Sequence, residues 1–158
     1  MGKNSHDFLI DWTINFIKNN DIISKKIKQI ENGKDGFDLY IKYKDREQYF
    51  IIVPTITDID SIIGKVNTAS GVHFSIVTLN SKENLDIIVK NWNKLINFKF
   101  LKIIFVNPFS ELDKKWIIFP YTHHKICDES YLENGLRSMF ELVGMIEEEE
   151  LIKKIAKL

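Results

Sequence analysis

This chain is short of several things, and each scarcity excludes a class of protein. Its 158 residues hold one cysteine, Cys127, so no disulfide can form within the chain. The start Met1, Gly2, Lys3, Asn4, Ser5, His6 lacks the apolar core of a secretion signal, and a reducing, cytoplasmic setting is expected. No apolar run approaches the roughly 20 residues that cross a bilayer, and no repeat or low-complexity tract divides the sequence. Net charge is missing too, because 22 Lys and Arg balance 22 Asp and Glu. That removes the bulk positive potential behind non-specific adhesion to nucleic acid or anionic membrane, while leaving room for a local basic face. Arginine is reduced to Arg46 and Arg137, and proline to Pro54, Pro108 and Pro120. Apolar material is plentiful: 44% of residues are hydrophobic and 12% aromatic, which suits one packed domain and excludes a disordered chain.

The apolar residues are ordered in recognisable periods. Phe8, Leu9, Trp12, Phe16 and Ile17 recur at helical spacing over 7–19, with Ser5 or Asp7 as the cap. Residues 22–31 mix β-branched residues with lysines and read as a strand, although Ile23, Ile27 and Ile30 also fit a helix. After the turn chemistry of 32–36, Phe37, Leu39, Ile41 and Tyr43 alternate with Asp38, Tyr40 and Lys42, the pattern of a half-buried strand. Residues 44–47 make a hairpin turn. The continuous apolar run 49–53 suits a central strand covered on both faces, closed by Pro54. A helix with Ile59, Ile62, Ile63 and Val66 follows, capped by Thr57 or Asp58, then a strand over 72–79. Ser81 opens a helix carrying Leu85, Ile88, Val89, Trp92, Leu95 and Ile96. Strands over 101–106 and 116–119 and a last helix over 129–146 complete a single α/β domain, a mixed β-sheet sandwiched between helices. In the tail, 147–158, acids precede lysines as a helix extension prefers. Its stripe of Leu151, Ile152, Ile155 and Leu158 is expected to serve a second copy or a protein partner, with a homodimer as one form, and packing on the domain itself is the alternative.

The hairpin 37–55, with Asp38 on its first strand, resembles the central hairpin of the restriction-endonuclease-like, or PD-(D/E)XK, nuclease superfamily. The order helix, three strands, helix, strand over about 7–80 matches that family's αβββαβ core. Residues 81–146 would then extend the sheet and add a last helix. The resemblance implies a three-layer core, a metal-binding role for Asp38, and a partner strand ending in Glu-x-Lys. Ile52, Val53 and Pro54 stand where acid, spacer and lysine are expected. An isoleucine cannot ligate a metal and a proline cannot donate a proton, so the resemblance points to a degenerate, non-catalytic member. Such a module would serve structure or recognition in nucleic-acid processing and need no cofactor.

Two other readings stay open. An active magnesium-dependent nuclease with relocated groups would use Asp38 with Glu47 or Gln48, Asp11 or Asp7 from the first helix as a further metal ligand, and Lys65 beside the scissile phosphate. The plain alternative is that Glu47 belongs to a turn and Lys65 decorates a helix. A small-molecule binder would use Asn107, Tyr121 and His123, collected beyond two proline-broken strand ends. The segment 120–128 holds His123, His124 and Cys127 but reads as a loop, too poor in ligands for structural zinc.

Overall fold

The computed structural model describes residues 4–68 and 71–158. Helix α1 (Ser5–Asn20) begins where the Asn4 side chain accepts from the Asp7 amide at 2.8 Å. The cap is thus Asn4, because the capping residue itself must stay extended and Ser5 is already helical. Leu9, Thr13 and Ile17, four residues apart, form its buried stripe. The first strand is shorter than expected, β1 (Ile27–Asn32). Residues 22–26 are a turn instead, with Lys25 at φ 49. The Asp21 carboxylate accepts from the amides of Lys26 and Ile27 at 2.7 and 3.0 Å, which organises that turn.

The hairpin β2 (Leu39–Tyr43) and β3 (Glu47–Ile52) pairs antiparallel, with β1 on its outer side. Helix α2 (Ile59–Thr68) carries the chain to β4 (His73–Leu79), parallel to β3. Helix α3 (Lys82–Lys90) and the short α4 (Trp92–Leu95) lead to β5 (Leu101–Val106), parallel to β4. An antiparallel β6 (Lys115–Ile118) ends a six-stranded mixed sheet in the order β1-β2-β3-β4-β5-β6. Successive residues of the apolar strands face opposite layers. Ile51, Phe74, Ile76, Ile103 and Phe105 meet α2, α3 and α4, while Phe50, Ile52, Val77, Leu79, Ile104 and Val106 meet α1.

Three expectations are corrected in the C-terminal third. Residues 120–126 are a helix, α5 (Pro120–Ile126), in place of a loop: Pro120 occupies the first helical position, where its missing amide costs nothing. The long last helix is broken. One tight helical turn (Glu129–Tyr131) precedes α6 (Leu132–Val143), which stops at Gly144, and the tail forms a separate α7 (Glu148–Ala156). The tail's stripe also turns inward: Leu151 is fully buried in the layer beside α1 and Ile155 packs there, leaving Ile152 and Leu158 exposed. One helix is about 10 Å wide, whereas six strands at ~4.8 Å spacing span ~24 Å. A second helix is therefore needed on the α1 side of the sheet, and α7 supplies it.

Gly144 takes φ 82 and ψ 140, a conformation that side chains disfavour. Its carbonyl accepts from the side chains of Asn80 and Asn107 at 2.9 and 3.1 Å, which fixes the break between α6 and α7. Gly144→Ala is expected to cost about 1 kcal/mol, read as a fall of ~2–4 °C in the thermal midpoint. The cause would be backbone strain, since an added Cβ would meet Asn107 Nδ2 at an ordinary 3.7 Å. Among the described residues no helix is long and apolar enough to cross a membrane.

Candidate functional site

The corner where β3 ends, β2 begins and α1 starts collects the most polar chemistry around Asp38. A turn with Asp35 at φ 53 and Gly36 at φ 81 delivers Asp38 to the strand, and its amide donates to the Phe50 carbonyl at 3.0 Å. Its carboxylate then closes two contacts. Oδ2 accepts from the Ile52 amide at 2.7 Å, and Oδ1 accepts from His6 Nε2, on the first turn of α1, at 2.9 Å. The other ring nitrogen of His6 lies 3.9 Å from the Asp7 carboxylate. Next to it the buried Ser5 donates to Glu148 Oε1 at 2.7 Å, and Thr55 donates to Glu148 Oε2 at 2.7 Å. Two carboxylates thus clamp consecutive residues of α1, one to the β2–β3 hairpin and the other to the first turn of α7.

Neither His6 nor Glu148 could be singled out from the sequence. His6 sits in the polar start, Glu148 sits in a run of four acids, and each meets its partner across a long sequence separation, 32 residues for His6 and Asp38 and 143 for Ser5 and Glu148.

The other residues singled out disperse. Glu47 opposes Lys42, four residues along β2 from Asp38, or ~13 Å at strand spacing. There it accepts from the Tyr40 hydroxyl at 2.6 Å, and this bond together with burial pushes the Tyr40 phenol up to about 12. Gln48 is buried beside Ser75 on β4, to which it donates. Asp11 lies five residues beyond His6 on α1, turned from it by roughly 140° around the helix. Lys65 does reach the loop before Asp38, but its Nζ donates to the Gly36 carbonyl at 3.2 Å. Among the described residues, no three His, Cys, Asp or Glu side chains form a group that could hold a metal ion. Ile52 is 2% exposed beside Asp38, and neither its side chain nor that of Pro54 carries an atom that ligates a metal.

Asn107, Tyr121 and His123 do not share a groove. Val106 pairs with Lys115 at one end of β6 and Ile103 with Ile118 at the other, so Asn107 and α5 sit at opposite ends of the sheet. Tyr121 lies under the Lys125 ammonium, 4.4 Å from the ring centroid, and its phenol is held below its ordinary value by the Lys125 hydrogen bond and charge. His123 packs edge-on against Trp92 at 5.7 Å, with its imidazole pushed down by burial. At the other end, where open sheets commonly receive ligands, asparagines fill the space. Asn80 donates to the carbonyls of Phe140 and Gly144 and accepts from Trp116 Nε1, while Asn107 donates to Gly144 and accepts from the Phe109 amide. No family model, no curated protein and no solved structure matches this chain.

Proposed function

We propose that this chain is a restriction-endonuclease-like module that recognises a partner in nucleic-acid processing and does not itself cut phosphodiesters. The observation that carries the reading is the Asp38 corner. Its carboxylate is spent on the Ile52 amide and on His6, and the neighbouring position on β3 is a buried isoleucine. Where the lysine of a nuclease would orient water stands Pro54, whose carbonyl accepts from the Asn84 side chain at 2.9 Å. The order α1, β1, β2, β3, α2, β4, with β3 parallel to β4, supports the family reading. Asp38 in this reading is a clamp that ties α1 to the hairpin.

The test is a cleavage assay on double- and single-stranded DNA and on RNA with Mg²⁺ or Mn²⁺, run beside calorimetric titration of both ions into wild type and Asp38→Ala. Neither protein is expected to cut. Asp38→Ala is expected to lose about 1 kcal/mol of stability through its two broken contacts. Metal-dependent cleavage by wild type that disappears in a folded Asp38→Ala protein would overturn the reading.

A further inference from the structure

On the α1-facing side of the sheet a polar row crosses the three parallel strands. Gln48 on β3 donates to Ser75 on β4, and Ser75 pairs in register with Lys102 on β5. Gln48 and Ser75 are buried, at 3% and 0% exposure. Leu101 and Ile103 face the opposite layer, so Lys102 projects toward α1. Among the described residues no carboxylate pairs with its ammonium.

A second cation stands beside it. Arg46, from the β2–β3 turn, lies over the Tyr43 ring at 4.2 Å, and it pairs with the exposed Asp45 at 3.3 Å. Lys102 and Arg46 line a cavity of about 260 Å³ whose other walls include Lys26, Phe16, Tyr43 and Phe50. The same two cations line an adjoining recess of about 280 Å³ with His73, Phe100 and Phe119. One carboxylate, Asp21, reaches the first cavity, and its oxygens already accept from the amides of Lys26 and Ile27 and from the Ser24 hydroxyl.

Positive charge therefore outweighs negative in this half-enclosed recess, where Lys26, Arg46 and Lys102 line the cavity against one carboxylate among the described residues, Asp21. Burial, with Arg46 adding to it, pushes the Lys102 amine down to about 8, and burial with both cations pushes His73 down. A doubly charged anion between them would relieve that repulsion. The planar guanidinium and the compact ammonium together match a phosphate group, and the aromatic walls suit a small organic body.

We propose that the Lys102–Arg46 recess binds the phosphate group of a small organic phosphate. The site lies some four residues along β3 from the Asp38 corner, ~13 Å away, and stands independently of the function proposed for that corner.

Phenyl phosphate and inorganic phosphate are the probes, titrated by calorimetry into wild type, Lys102→Met and Arg46→Met at physiological ionic strength. Saturable binding of phenyl phosphate by wild type is expected, weakened about tenfold or more in each variant. Circular dichroism establishes that the variants are folded, and Lys102→Met should unfold at a higher temperature than wild type, so lost binding could not be ascribed to lost structure. Absence of saturable binding to wild type, or equal binding by Lys102→Met, would overturn the site. So would a single-stranded oligonucleotide that binds more tightly than phenyl phosphate with the same dependence on Lys102, since the phosphate would then belong to a polymer.

Discussion

Lys102→Met is expected to raise stability by about 2 kcal/mol near neutral pH, and the thermal midpoint by ~4–8 °C. The gain follows from the charge that folding now carries into the sheet. The Lys102 amine sits at about 8 in the folded protein against 10.5 ordinarily, mainly because burial strips its water and secondly because Arg46 repels it. Below pH 8 the ammonium is charged in both folded and unfolded chains, and the folded state bears the whole penalty. Between pH 8 and 10.5 the folded protein sheds its proton first, the unfolded chain binds more protons, and stability rises with pH. Each unit of pKa is worth about 1.4 kcal/mol, which bounds the penalty near ~3 kcal/mol, and residual hydration of a partly exposed side chain lowers the expected figure to about 2 kcal/mol. Methionine keeps the volume and removes the charge. The advantage of the variant should therefore be full near neutrality and shrink as pH climbs toward the ordinary lysine value. Urea denaturation of both proteins across that pH range reads it directly, and a variant that is less stable than wild type at every pH would show that Lys102 is compensated in the fold.

Asn84→Leu is expected to act in the opposite direction, lowering stability by about 2 kcal/mol and the thermal midpoint by ~4–8 °C. Asn84 is fully buried on the first turn of α3, and its side chain joins three segments at the ends of β3 and β4. Its oxygen accepts from the Ile56 amide at 2.9 Å, and its nitrogen donates to the carbonyls of Pro54 and Leu79 at 2.9 and 3.0 Å. Leucine has nearly the same shape, so packing is conserved while the hydrogen bonds vanish. The Pro54 carbonyl retains the Leu79 amide and the Thr78 hydroxyl, each at 3.3 Å. The Leu79 carbonyl retains the Ser81 amide at 2.8 Å, so the Ile56 amide is the group left in a dry interior, at about 1–3 kcal/mol. Because wild type and variant differ in no ionisable group, the difference in their urea midpoints should not change with pH. That contrast with Lys102→Met separates a lost hydrogen bond from a buried charge.

The elements most legible in the sequence are those whose pattern is local. Phe8, Leu9, Trp12, Phe16 and Ile17 mark α1 by their spacing, the apolar run 49–53 marks a strand covered on both faces, and 72–79 and 101–106 read as further strands. Segment 120–126 shows no apolar period, and its helix depends on Pro120 at the first position and on packing against Trp92. At the candidate site, an acid between apolar neighbours is enough to single out Asp38. Its partners are not legible: a histidine in a polar start and a glutamate in an acid run look like solvated residues. Asn84 is one of thirteen asparagines, and nothing in its neighbours distinguishes it from those on the surface.

By itself, then, the sequence determined the α/β class, the central strands and the hairpin carrying Asp38, because periodicity and residue type are local properties. Only the tertiary structure decided that α7 turns back to cover the sheet beside α1, that Asp38 meets His6 while Glu148 meets Ser5, and that Lys102 and Arg46 share a recess. Those meetings depend on the order and register of the strands, which are set by the need to bury both faces of one sheet at once.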